Sequence, residues 1–149
     1  MPTQNYEHVR MIMKSQSGYN EHNFCTVVSI ACAFNWSAGK AHRLLAKHGR
    51  THRRGPDWTA YSAALREAAS KEGKSLSFYF QHNGTTINRF IKEHPTGTWI
   101  IAVKGHVIAV KDGEAMDWTA NTAGRRKIGY RSGMTDTQRL DFGVCRIGD

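Results

Sequence analysis

The dipeptide Asp112-Gly113 constrains this chain more than any other feature. It is the preferred centre of a two-residue hairpin turn, and strand-like sequence lies on both sides. Thr98 to Lys104, with its core Trp99-Ile100-Ile101-Ala102-Val103, reads as a strand, and His106 to Val110 reads as another. Ala115 to Thr119 is the return strand. If Asp112 and Gly113 are the two central turn residues, Lys111 faces Glu114. Counting outward, Ile108 then faces Asp117 and His106 faces Thr119. Side chains alternate between faces, so His106 and Ile108 share a face with Asp117 and Thr119. Asp117 is then the diagonal neighbour of His106, with Cβ atoms about 7 Å apart. An aspartate reaches an imidazole nitrogen over that gap. There it would fix the tautomer and stabilise an imidazolium. Asp112 is the competing carboxylate, but it belongs to the turn, where aspartate is common for local backbone reasons.

The rest of the chain supplies helices ahead of this sheet. Val9, Met11, Ile12 and Met13 could form a short strand or a helical turn. The segment Asn23-Phe24-Cys25-Thr26-Val27-Val28-Ser29-Ile30-Ala31-Cys32-Ala33-Phe34 passes from polar to apolar and predicts a buried helix ending near Phe34-Asn35. Ser37 is a good N-cap for Ala38 to Lys47, and Gly49 a good C-terminal stop. Ala41, Leu44, Leu45 and His48 follow helical spacing, predicting a core face. An alanine-rich helix is expected from about Thr59 to Lys71, stopping at Gly73. Leu76 to Phe80 reads as a strand and Asn83-Gly84 as a turn. Thr85 or Thr86 caps a short helix through Glu93. A strand at Lys127 to Tyr130 is an option, and Phe142 to Ile147 closes the chain as a strand. Helices first and strands last define an α+β class.

The chain has 149 residues, enough for one domain with a real core over residues 1–149. No apolar stretch is long enough to span a bilayer, and the first residues lack a secretory signal pattern. A cytoplasmic location is expected. Three cysteines without metal-type spacing argue against a disulfide scaffold. His42, His48 and His52 do not share a helix face, so no metal is expected, and no organic cofactor is implied. Cys145 reads as a buried strand residue.

A net charge of +9 implies attraction to polyanions, acidic partners or nucleic acid. The charge is clustered. Arg43, Arg50, Arg53 and Arg54 lie in one stretch, and Arg125, Arg126 and Lys127 in another. The bland reading is solvated helix ends and loops. Trp58, Tyr61 and Trp118 could offer stacking surfaces beside these cations, although aromatics more often fill a core.

Cys25 carries the chemistry. A thiol at a helix N-terminus sits where peptide dipoles favour an anion, so a thiolate is stabilised. Cys25, then His106, then Asp117 is the order of nucleophile, base and orienter in a thiol hydrolase or acyltransferase. An oxyanion donor is also needed. Asn20 or Asn23, together with the Cys25 backbone amide, could supply it.

Cys25, Gly105-His106-Val107-Ile108-Ala109-Val110 and Asp117-Trp118 resemble the papain-like cysteine peptidase superfamily. They look most like its compact bacterial and phage-encoded members, including the leader-cleaving peptidases of bacteriocin exporters. The resemblance implies N-terminal helices, with the nucleophile helix packed on a C-terminal antiparallel sheet. It also implies hydrolysis of a peptide or isopeptide bond in a peptide or protein substrate. A phage setting would place the protein in the host cytoplasm or with the virion. There are departures. Tyr19 stands where these enzymes often carry the oxyanion-hole glutamine, and Thr26 replaces the aromatic that often follows the cysteine. The alternative is a catalytically inactive version of the same fold that binds nucleic acid or an acidic host protein through its basic stretches.

Overall fold

The computed structural model describes residues 9–12, 25–49, 58–79, 81–103, 106–117, 124–129 and 143–148. Residues 9–12 are helical. Helix α1, Cys25–Phe34, carries no charged residue, and all ten of its side chains are buried. An uncharged helix whose few polar side chains are buried has no solvent face to offer, so it is enclosed by the rest of the chain. It ends at Asn35, whose φ of 57° is left-handed. Asn is among the few residues besides Gly that tolerate this at a helix stop.

Helix α2, Ala38–Lys47, starts at the N-cap Ser37, whose hydroxyl accepts the Lys40 amide at 3.2 Å. Ala41, Leu44 and Leu45 form its buried face. His48 does not join that face. It is half-buried, and its Nε2 lies 3.3 Å from Glu67. Helix α3, Trp58–Lys71, buries Ala64, Leu65, Ala68 and Ala69. Small side chains at that spacing let α3 approach α1 and α2 closely. Helix α4, Ile87–Glu93, is capped by Thr86, whose hydroxyl accepts the Arg89 amide at 3.2 Å.

The strands are β1 (Ser75–Tyr79), β2 (Thr98–Val103), β3 (His106–Lys111), β4 (Glu114–Met116) and β5 (Val144–Gly148). They form one sheet in the order β1-β5-β2-β3-β4, with every neighbouring pair antiparallel. The class is α+β. Lys111 pairs with Glu114 across the turn, as the count from Asp112-Gly113 requires. Both turn residues have positive φ, 49° and 80°, the backbone that matches the twist of a two-residue hairpin. The return strand is shorter than its sequence predicts. The ladder ends at Ala109 with Met116, and the chain bends at Asp117. Residues 127–129 make only an isolated bridge, Lys127 with Thr86, rather than a strand.

The apolar runs of β2 and β3 are continuous because both faces of the sheet are covered. Ile100, Ala102, Val107, Ala109, Met116, Cys145 and Ile147 pack with α1, α2 and α3 on one face. Trp99, Ile101, Val103, Ile108, Val110 and Val144 pack with Ile87 and Phe90 of α4 and with Ile128 on the other. Helix α1 makes its main sheet contact with β3. That contact carries the N-terminus of α1 to the end of the sheet where β3 begins.

Gly113 is a sensitive point in this arrangement. Its φ is left-handed, and a Cβ there would stand 3.2 Å from the Pro95 carbonyl oxygen. Gly113→Ala should lower the unfolding free energy by about 1–2 kcal/mol. Urea denaturation should show this as a reduced midpoint with an unchanged slope.

Candidate active site

Cys25 is the first residue of α1, and it is 4% exposed. His106 is the first residue of β3, where it pairs with Val103 at the end of the ladder, and it is 8% exposed. Asp117 follows the last residue of β4 and is 4% exposed. The three meet at one end of the sheet. His106 Nε2 lies 3.1 Å from Asp117 Oδ2. The Cys25 sulfur lies close enough to the His106 ring to raise its pKa.

The route to the His106–Asp117 contact differs from the strand count. Strict alternation would give His106 the face of Ile108, which is the α4 side. Cys25 belongs to the opposite cluster, with α2 and α3. His106 meets it because it stands at the strand end, beside the helix N-terminus. Asp117 arrives by the bend after Met116 rather than as a ladder residue. Asp112 plays no part in this contact. It is exposed in the turn, and its Oδ1 accepts the Gly97 amide at 3.0 Å.

The electrostatics favour the protonated form of His106. Burial alone would push its pKa down, because a charged imidazolium loses solvation. The hydrogen bond to Asp117 and the proximity of Cys25 outweigh this and raise it from 6.5 to about 9. The other two thiols have no such partner. Burial pushes Cys32 up to about 12, with the Asp117 charge adding to the shift and Lys111 opposing it. Burial likewise pushes Cys145 up to about 12, with Arg66 and a Ser77 backbone hydrogen bond opposing it. Both remain neutral thiols near pH 7. Cys25 and Cys32 are on one helix, yet only Cys25 adjoins a base.

Two further residues support Cys25, and sequence reasoning assigned neither of them this role. Ser29 Oγ donates to the Thr26 carbonyl at 3.0 Å. Its only proton is then engaged, so the Tyr61 hydroxyl donates to Ser29 Oγ across 2.8 Å. This chain ties α3 to the first turn of α1. Tyr61 is fully buried, which rules it out as an exposed stacking surface. Burial raises its pKa, opposed by Ser29 and reinforced by the nearby Cys25 and Cys145. The available signal was spacing: Tyr61, Ala64, Leu65 and Ala68 share one helical stripe.

The other predicted site residues fall elsewhere. Asn20, Asn23, Arg50, Arg53 and Arg54, with His52 and Trp118, lie outside the described residues, and so does the side chain of Trp58. Arg43 is exposed on α2. Near it, Lys47 Nζ stands 2.9 Å from Glu67, and its hydrogen bond holds that carboxyl below the usual range. Arg125 and Lys127 are exposed, and Arg126 is half-buried. Among the described residues no group of three His, Cys, Asp or Glu side chains could hold a metal ion. Among them, too, no helix is long and apolar enough to cross a membrane. Comparison with family models, curated proteins and solved structures finds no match to this chain.

The raised pKa of His106 has a consequence for stability. The folded state holds this proton more tightly than the unfolded chain does. The stabilisation is complete below pH 6.5 and is lost as pH rises through about 9. Urea unfolding of the protein should therefore weaken across that window. His106→Ala should be less stable at pH 6 and should lack that decline. A pH slope that survives the substitution would assign it to another group.

Proposed function

We propose that this protein is a papain-like thiol hydrolase that cleaves a peptide or isopeptide bond. The observation that carries the reading is the convergence of Cys25, His106 and Asp117 at one sheet end, with His106 hydrogen-bonded to Asp117 and its ionisation shifted by Cys25. Burial alone calls for a partner on His106, but it does not call for a helix-terminal thiol beside the same ring. Sequence-distant elements deliver the nucleophile, the base and the orienter in the roles that the chemistry requires.

The reaction follows from these roles. The Cys25 thiolate attacks the carbonyl carbon, and the carbonyl π electrons move to oxygen. The oxyanion is held by the Cys25 backbone amide and by Asn20 or Asn23. Collapse of this intermediate breaks the C–N bond. His106 gives its proton to the departing amine, leaving a thioester on Cys25. Water then attacks the thioester while His106 takes its proton. The second collapse releases the acid and restores the thiolate with its imidazolium. Asp117 holds the His106 ring in orientation throughout and offsets its positive charge. The neutral state of Cys32 and Cys145 leaves Cys25 as the one competent thiol of the three.

Alkylation by iodoacetamide tests this reading, with the modified cysteine identified by peptide mass. Cys25 should react faster than Cys32 and Cys145 under native conditions at pH 7. His106→Ala should slow that reaction at least tenfold, since the thiolate loses its counter-ion. Tyr61→Phe should slow it by less, about twofold to fivefold, by loosening the first turn of α1. Equal reactivity of Cys25 in the protein and in His106→Ala would reject the triad.

A further inference from the structure

The basic tripeptide Arg125-Arg126-Lys127 is fixed by backbone hydrogen bonds. Gly84 N–H donates to the Ile128 carbonyl at 2.8 Å, and Ile128 N–H donates to the Thr85 carbonyl at 2.8 Å. Ile87 N–H donates to the Arg126 carbonyl at 3.0 Å, and Asn88 N–H to the Gly124 carbonyl at 2.9 Å. The last two donors belong to the first turn of α4, which has no acceptor of its own for them. The segment therefore caps a helix while presenting cations. Its close fit explains Gly124 and Gly129, where a Cβ would collide with the side chains of Asn88 and Asn83. Ile128 anchors it in the core at 2% exposure. Arg125 and Lys127 point to solvent on either side of half-buried Arg126.

The location of this loop is informative. The C-terminal end of α4 lies by the hairpin turn, since Ile91 and Pro95 surround Gly113. Its N-terminus, with the basic clamp, is therefore toward the opposite end of the sheet. Gly129 N–H donates to the Ala102 carbonyl at 2.8 Å. Ala102 adjoins Val103, and Val103 pairs with His106. The cations thus lie toward the sheet end where Cys25 and His106 meet, on the α4 face, across the sheet from Cys25.

We infer that the substrate of Cys25 carries an acidic segment beside its scissile bond, docked on Arg125 and Lys127. This rests on the thiol-hydrolase reading above. Charge complementarity selects the chemistry, and the net charge of +9 steers such a substrate toward the protein. The size of the patch favours a short acidic peptide over a nucleic acid. Arg89, the nearest cation of α4, is already paired with Glu93 at 3.1 Å. Arg125 and Lys127 are exposed two residues apart, a match for one or two carboxylates rather than for an extended phosphate track.

A rhodamine-labelled hexaglutamate peptide is the probe, with hexaglutamine as its neutral control. Fluorescence anisotropy should show binding of hexaglutamate alone, weakening as salt rises. Arg125→Glu combined with Lys127→Glu should reduce the affinity about tenfold, whereas Arg43→Glu should change it less than twofold. Saturating hexaglutamate should also slow iodoacetamide labelling of Cys25. Absence of binding at low salt, or equal binding by the double variant, would overturn the inference. So would unchanged labelling of Cys25 with hexaglutamate bound. Displacement of the peptide by lower concentrations of single-stranded DNA would reassign the patch to nucleic acid. Failure of the catalytic reading shows up separately, as unchanged labelling in His106→Ala without any peptide.

Discussion

Burial of α1 against β3 is the constraint on which the rest of the structure depends. The helix has no polar face, so the chain must supply cover on every side. The sheet covers one side, and α2 and α3 cover others. Val27, Val28, Ile30 and Phe34 each contribute about 1.5–3 kcal/mol through burial. The same packing determines where the helix begins. Cys25 is brought to the sheet end because the apolar residues behind it are packed along β3. Stability and site geometry thus share one set of contacts.

The polar groups near Cys25 are costly in such an apolar setting unless they are paired. His106 and Asp117 satisfy each other, with the thiol close by. Ser29 and Tyr61 satisfy each other beneath the same helix turn. A thiol at that position therefore faces an arranged environment, while Cys32, further along the helix, meets burial and the Asp117 charge, which the opposing Lys111 does not overcome. The difference between the two cysteines comes from their surroundings and not from their own chemistry.

Much of the architecture was legible because short-range rules dictate it. Ser37, Gly49, Gly73, Thr86 and Asp112-Gly113 mark real boundaries, each through a cap or a left-handed backbone. The hairpin count brought Asp117 near His106, but alternation did not predict how they meet. A bend after Met116 and the position of His106 at a strand end are tertiary adjustments that periodicity does not contain. Tyr61 illustrates the same limit. Its helical stripe marks a buried face, but only the packing of α3 on α1 places its hydroxyl on Ser29. The loop from Gly124 to Gly129 has no periodic pattern, and its order comes from backbone bonds to distant residues.

The coupling of Cys25 to His106 is the central claim, and the ionisation of His106 tests it most directly. The ring proton resonances of His106 can be followed by NMR as pH is raised, in the protein and in Cys25→Ala. The expected apparent pKa is about 9 in the protein and lower in Cys25→Ala, because the influence of the sulfur is then gone while Asp117 remains. Titration near 6.5 in both proteins would contradict it.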